Sequence, residues 1–394
     1  MATLPTIAPP DPTLEVIDAH IVARQHSEPK RGYLGMSFIG EECERRQWYS
    51  FRFVSESNFD APTLRRFEDG HRGEDLMAGR LRMVKQIKLY TVNPQDGRQF
   101  GFHALGGHFR GNIDGALQGL LQAPKAWHVW EHKVSEKASS LLGRKAMEIT
   151  LLKVRASESA SALAKLKSTL GEKSALEKWN ATYYAQAICY MHYSGMDRHY
   201  LTCDTPGGRA TVSVRTEADK GKAEALEAKA ERIIFSPEPL TKISEDAAFW
   251  KCKGCPSAQN CHGSRIPVVS CRTCVHATPE RDGDGRWSCA RHKTDLTLAA
   301  QQAACTDHLF IPALVTWGAL EDASEAENWI SYKTPDGFAF RNGARGVGSY
   351  SSTELAAIPL AALRSDEMQA IRSAWLPDAQ WVGVESEWKL DEVA

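Results

Sequence analysis

The chain has 394 residues, enough to bury a large core and to form two or three domains, and its 42% hydrophobic and 25% charged residues are the balance of an ordinary globular protein. No stretch approaches the roughly 18 uninterrupted apolar residues that a membrane span needs. The opening MATLPTIAPPDPTLEVIDAH lacks the basic and apolar regions of a signal peptide, so the expected location is the cytoplasm. A net charge of −1 gives no global support for nucleic-acid binding.

Residues 1–30 contain several prolines and little periodicity, which predicts a loosely ordered arm. In GYLGMSFIGEECERRQWYSFRF, Ser37 is placed to cap a short helix with Cys43 inside it. From Thr63 to about Lys85, Leu64, Phe67, Leu76, Leu81 and Val84 recur with helical spacing, and His71 and Glu74, three apart, share a face. Residues 86–134 read as a strand meander with a turn at PQDG and a second, turn-like QAPKA. From about Ser135 to Leu170 the composition is that of a helix that breaks near Ala156–Ala160, and a further helix is predicted over Ala175–Tyr193. Between Gly143 and Asn180, Arg144, Lys145, Lys153, Arg155, Lys165, Lys167, Lys173 and Lys178 stand against four Glu, a local positive face that could follow a phosphate backbone or simply be solvated. RHYLTCD and RATVSVRTE then read as strands and KGKAEALEAKAERIIF as a helix, with a domain boundary near Pro237–Pro239.

The chemistry is concentrated in Gly111–Lys133. Asp114 is followed by an apolar run that ends Glu131-His132-Lys133. In a strand, successive side chains alternate faces, so Glu131 and Lys133 share one side with Trp127 and Val129, while Trp130 and His132 take the other. A carboxylate and an ammonium at the end of a buried strand carry a desolvation penalty. If a neighbouring strand brings Asp114 alongside, two carboxylates converge, an arrangement that suits a cation.

Seven of the ten cysteines fall between Cys252 and Cys305, and in a chain without an export signal this favours metal ligation over a disulfide scaffold. Cys252, Cys255 and Cys261 offer three thiolates where a metal or cluster takes four ligands. Adjacent His262 is poorly placed to supply the fourth, and Cys43 becomes the candidate. The second set has a Cys271-x2-Cys274 knuckle, then Cys289 and Cys305, with His276, His292 and His308 as alternatives for the last position. It reads as a closed structural zinc site. NWISYKTPDGFAFRNG predicts a hairpin turning at Pro335-Asp336-Gly337, followed by a helical tail.

The D…E-x-K of Asp114, Glu131 and Lys133 resembles the second and third motifs of the PD-(D/E)xK nuclease superfamily, with Ile113 in place of the literal proline. The G-x3-E of Gly70–Glu74 resembles its first-motif helix, which supplies a carboxylate or histidine to the metal site; Glu74 is preferred here over His71. Gln186 and Tyr190 resemble the Q-x3-Y accessory motif of the RecB-like branch, whose side chains help hold DNA. The split quartet of Cys43 with Cys252, Cys255 and Cys261 is similar to the [4Fe–4S] set of CRISPR-associated RecB-like exonucleases, with zinc or free thiols as alternatives. The appended zinc-binding region resembles phage and prophage versions.

The resemblance implies an α/β (α+β) fold: a restriction-endonuclease-like core with a central mixed sheet flanked by helices, plus a small Cys-rich domain. The implied division is an arm at 1–30, a nuclease domain at 31–265, a zinc-ribbon-like module at 266–312 and a hairpin with helical tail at 313–394. It further implies a Mg²⁺- or Mn²⁺-dependent deoxyribonuclease, an exonuclease in phage or bacterial DNA recombination, repair or processing. DNA would be the partner, with a single-strand-binding or annealing protein beside it. A catalytically vestigial DNA-binding or assembly module and a site-specific endonuclease are the competing readings.

Overall fold

The computed structural model describes residues 11–28, 30–56, 59–135, 159–346 and 348–374. Its first element is a helix, α1 (Pro12–Ser27), where composition predicts a loose arm. Asp11 explains the difference, since its side chain accepts from the N–H groups of Thr13 and Leu14 and Pro12 sits in the first turn. β1 (Leu34–Gly35) and a 3₁₀ turn, Met36–Phe38, lead into α2 (Glu44–Phe51). Ser37 lies in that turn, and Cys43 is the N-cap residue of α2 rather than inside it. α3 (Ala61–Arg82) runs unbroken through its glycines and is joined to α1 by Arg24–Glu68 and Arg65–Asp18 ion pairs.

The meander consists of β2 (Lys88–Tyr90), β3 (Gly101–Ala104), β4 (Phe109–Asn112), β5 (Gly115–Leu120) and β6 (Ala123–Val134). QAPKA is not the turn: Leu120 already pairs with Ala123, and Pro124 to Ala126 belong to β6. The tight closure needs Gly119, whose φ of +94° few L side chains adopt and whose missing Cβ would overlap Gln86 O.

The predicted helix over Ser135–Leu170 lies largely outside the described residues, as do Arg144, Lys145, Lys153 and Arg155; its end is α4 (Ala160–Leu170). The helix predicted over Ala175–Tyr193 is two, α5 (Glu172–Trp179) and α6 (Ala181–Ser194). Asn180 separates them, extended in backbone and accepting from the N–H groups of Thr182 and Tyr183. Lys167 and Lys173 pair with Glu172 and Glu217, which neutralises part of the basic face. β7 (Arg198–Asp204), β8 (Thr211–Glu217) and α7 (Lys220–Phe235) follow where the sequence predicts them.

The architecture is mixed α/β. The five-stranded central sheet has the order β2-β5-β6-β7-β8, in which β6 and β7 are parallel and the other pairs antiparallel. Met77, Ala78 and Leu81 of α3 pack with Leu117, Leu120 and Trp130 on one face. α5 and α6 cover the other, where Leu176, Trp179 and Ala187 meet Leu201, Cys203 and Val214. β1, β4 and β3 form a smaller sheet beside it.

Short helices α8 (Trp250–Lys253) and α9 (Ala258–Cys261) carry Cys252 and Cys261, with Cys255 in the link between them. The second lies around the small sheet of β9 (Ala277–Pro279), β10 (Trp287–Cys289) and β11 (Thr294–Asp295). A last sheet contains β12 (Ala319–Ser324), β13 (Trp329–Lys333), β14 (Ala339–Asn342) and β15 (Ser349–Tyr350), with the predicted turn at Pro335–Gly337 between β13 and β14.

The main core does not stop at either predicted boundary. Leu34, Met36, Trp48, Val129 and Ile233 share one apolar cluster with Cys274, Ala277, Trp287, Ile311 and Leu314. Buried Arg272 seals the junction, donating to Phe51 O at 2.6 Å, Gly32 O at 2.7 Å and Gln301 Oε1 at 2.6 Å. Its guanidinium lies 4.3 Å from the Phe53 ring centroid and 4.5 Å from that of Trp287. Among the described residues no helix is long and apolar enough to cross a membrane.

Candidate active site

Asp114 immediately precedes β5, where Gly115 pairs with Trp130, so the register sets it against the end of β6. Its Oδ2 accepts from the backbone N–H of His132 at 2.7 Å. Glu131 and Lys133 point to the α6 side, in register with Leu201 and Cys203 of β7, and Lys133 Nζ donates to Glu131 Oε2 at 2.9 Å. Trp130 and His132 take the opposite face, their ring centroids 6.3 Å apart, as strand alternation requires.

Glu74 approaches from α3. The helix lies close against β6 because position 73 is glycine: a Cβ there would overlap Val134 and stand 3.1 Å from His132 Nε2. From α6, Gln186 Nε2 donates both to Glu131 Oε2 and to Tyr190 OH, each at 3.2 Å. Glu74, Asp114, Glu131, Lys133, Gln186 and Tyr190, distributed over two helices, one strand and the residue just before another, therefore meet in one place. His71 is exposed and lies near Asp114, so it flanks the cluster.

The electrostatics follow from crowding. Burial and then the charge of Asp114 push the Glu74 carboxyl up to about 7. Burial likewise raises Glu131, with repulsion from Asp114 added, and raises Asp114 itself although Lys133 and the His132 N–H oppose the shift. Burial works against the charge of Lys133, but Glu131 and Asp114 outweigh it and hold the ammonium protonated. Glu131 is 1% exposed, and its Oε1 has no hydrogen-bond partner. Such an orphaned anionic oxygen, surrounded by other acids, suits a cation.

Sequence reasoning missed Tyr183. Lys133 Nζ lies 5.1 Å from its ring centroid, a cation–π contact with the ammonium. The signal was present, because Tyr183 is three residues before Gln186 and shares its helical face.

The cysteines also assemble. Cys43 lies within electrostatic range of Cys252, Cys255 and Cys261, so the fold brings the remote N-terminal thiol to the neighbourhood of the C-terminal trio. Cys271, Cys274, Cys289 and Cys305 line a cavity of about 220 Å³ together with His276, His292 and His308. Burial, then their mutual repulsion, pushes the Cys271 thiol up to about 11. Among the histidines, His308 has both ring nitrogens engaged, Nδ1 with Ser352 Oγ at 2.7 Å and Nε2 with Ser270 O at 2.9 Å. His276 Nε2 is held by Asn328 Oδ1 at 2.7 Å, whereas His292 Nε2 stands 3.4 Å from Cys305 Sγ. None of the ten cysteines is in a disulfide. Among the described residues, no group of three or more His, Cys, Asp and Glu side chains stands close enough to hold a metal ion in this conformation, so ion binding at any of these places requires rotamer changes.

No protein-family model matches the chain, and no curated protein does. Its fold is similar at low level to several solved structures. The crystal structure of SSO0001 shares 12% identity and a TM-score of 0.31, over 62% of this chain and 94% of that one. LHK-Exo in complex with dAMP shares 10% identity and a TM-score of 0.30, over 56% and 90%. An alkaline exonuclease, LHK-Exo, from Laribacter hongkongensis shares 11% identity and a TM-score of 0.29, over 55% and 90%. The functional reading rests on the site's own geometry.

Proposed function

We propose that the chain is a metal-dependent deoxyribonuclease of the RecB-like PD-(D/E)xK type, acting as an exonuclease. The observation that carries this reading is the buried, unpartnered Glu131 Oε1 in a cluster with Asp114, Glu74 and Lys133. Three converging carboxylates are relieved either by protons or by a cation, and a divalent ion is the occupant that leaves both the acids and the lysine charged. Glu74, Asp114 and Glu131 are the residues that would hold Mg²⁺ or Mn²⁺. When bound, such an ion supplies a Lewis acid for the phosphate and acidifies a water.

The chain's own groups do the rest. Lys133, held by Glu131 and Tyr183, has further N–H donors for the attacking water or for charge building on the phosphate. Gln186 fixes the Glu131 carboxylate, and Tyr190 fixes Gln186. The assembled cysteines support a [4Fe–4S] cluster at Cys43, Cys252, Cys255 and Cys261, and zinc at Cys271, Cys274, Cys289 and Cys305, both in scaffold roles. The setting we favour is the cytoplasm of a bacterium or phage-infected host, in recombination or repair alongside a single-strand-binding or annealing protein.

The test is cleavage of linear and circular DNA with Mg²⁺ or Mn²⁺. We expect linear DNA to be degraded, circular DNA to be spared, and Lys133→Ala and Asp114→Ala to lose activity. Unchanged cleavage in both variants would remove these residues from the mechanism, and cutting of circles would favour an endonuclease. One observation favours a vestigial DNA-binding module instead: no three acidic, histidine or cysteine side chains among the described residues stand ready to hold an ion. DNA binding without metal-dependent turnover would establish that reading.

A further inference from the structure

We infer that Tyr90 and Trp127 form a stacking platform for a single strand of DNA leading to or from the candidate active site. The inference rests on the nuclease reading for the identity of its ligand, but on separate residues for its surface. Trp127 lies on the same face of β6 as Glu131 and Lys133, four residues upstream of Glu131, which is about 13 Å along a strand. Tyr90 reaches that face from β2, since it pairs with Ala116, which in turn pairs with Val129. The two rings stand 6.0 Å apart between centroids at an interplanar angle of 36°.

Each ring is 40% exposed, Tyr90 at the end of the edge strand β2 and Trp127 on β6 two strands in. Leu89, the residue before Tyr90 on β2, turns to the opposite side and packs against the α3 cluster, so the outward direction of Tyr90 is set by the register. The surrounding charge selects the occupant. Lys88 pairs with Gln118, which pairs with Trp127, so an ammonium lies in the same row as the indole. Lys125, two residues before Trp127, is also exposed. Aromatic rings flanked by cations fit a polyanion with exposed bases, which is single-stranded nucleic acid; in a duplex the base faces are already stacked.

The test is fluorescence anisotropy of a labelled 16-nucleotide oligo(dT) and of a blunt duplex of the same length, with EDTA present so that nothing is cut. Trp127→Ala and Tyr90→Ala should each weaken oligo(dT) binding about tenfold, Trp127→Phe should restore most of it, and duplex affinity should move less than twofold. Lys88→Ala should lower the salt slope of oligo(dT) binding by about 0.7. Because both rings are partly exposed, the two alanine variants should stay folded with only a modestly lower melting temperature, and Trp127→Phe and Lys88→Ala should melt close to wild type. Oligo(dT) affinity within twofold of wild type in both alanine variants, or equal losses for duplex and single strand, would overturn the platform, whatever the cleavage assay gives. Absence of Mg²⁺-dependent cleavage beside Trp127-dependent oligo(dT) binding would sink the nuclease reading and leave the platform standing.

Discussion

Gln186 and Glu131 are 55 positions apart, yet the amide Nε2 of one donates to the carboxylate Oε2 of the other at 3.2 Å. The same Glu131 oxygen accepts from Lys133, so its two protein donors fix its orientation while Oε1 remains without a partner. Removing the amide should therefore act through Glu131 rather than by direct contact with substrate.

A hydrogen bond to a buried charged group contributes about 1.5–3 kcal/mol, so Gln186→Ala should slow single-turnover cleavage roughly 10–100-fold. Gln186→Glu should be worse, because it adds a fourth acid to the cluster. Tyr190→Phe, which removes only the partner of Gln186, should fall between wild type and Gln186→Ala. Equal rates for all three variants in a quench-flow assay would show that Glu131 needs no positioning.

The acids also predict a pH dependence. Glu74 is raised from 4.5 to about 7 by burial and by Asp114, and Glu131 is raised in the same direction. A carboxyl that binds its proton more tightly in the fold gives stability that is full below about pH 4.5 and is lost as pH rises through its folded value. In EDTA, melting temperature should therefore fall between about pH 5 and 8 from this source. Mg²⁺ competes with those protons, so its stabilising shift should be larger at pH 8.5 than at pH 6. Differential scanning calorimetry at both pH values measures it, and a pH-independent shift would count against ion binding by these acids.

His199 gives the opposite slope. It is 1% exposed on β7, neither ring nitrogen has a partner, and burial pushes its pKa down to about 3. The unfolded chain then binds the extra proton as pH falls below about 6.5, and stability falls with it. His199→Leu should abolish that loss, contributing about 2 kcal/mol at pH 5 relative to wild type beyond any change at pH 7. Urea unfolding at pH 7 and pH 5 tests this, and parallel losses in variant and wild type would reject it.

Metal analysis separates the cysteine sets. Zinc content should fall by one equivalent in Cys271→Ser or Cys305→Ser and stay unchanged in His308→Ala, because His308 is engaged by Ser352 and Ser270. Iron and brown colour should be lost in Cys43→Ser. Stripping zinc with a strong chelator should lower the melting temperature of the whole protein, given that Cys274 belongs to the main core. Colourless protein carrying two zinc ions would replace the cluster by a second zinc site.

Local signals carried much of the fold. Lys220–Phe235 and the two strands before it follow the periodicity closely, because their apolar spacing and flanking turns agree. Spacing together with the family resemblance picked out Asp114, Glu131-x-Lys133, Gln186 and Tyr190, and the fold brings these side chains together. What failed was decided by single residues against the trend of their neighbours. Asp11 nucleates a helix in a proline-rich segment, Asn180 splits an otherwise continuous one, and Gly119 moves a turn away from Pro124. Tyr183 was hidden because an aromatic on a half-buried helix reads as core. The joining of residues 31–56 to the Cys-rich region was not legible at all, since nothing in either segment's own pattern names its partner.

That junction has a consequence for biosynthesis. The carbonyl of Phe51 is closed by Arg272, which follows it by 221 positions, and the ring of Phe53 waits for the same guanidinium. A nascent chain leaving the ribosome must keep its early segment open until the Cys-rich stretch emerges. Deleting that stretch would thus leave the early segment with an unsealed interior, so the two segments should unfold in one cooperative step.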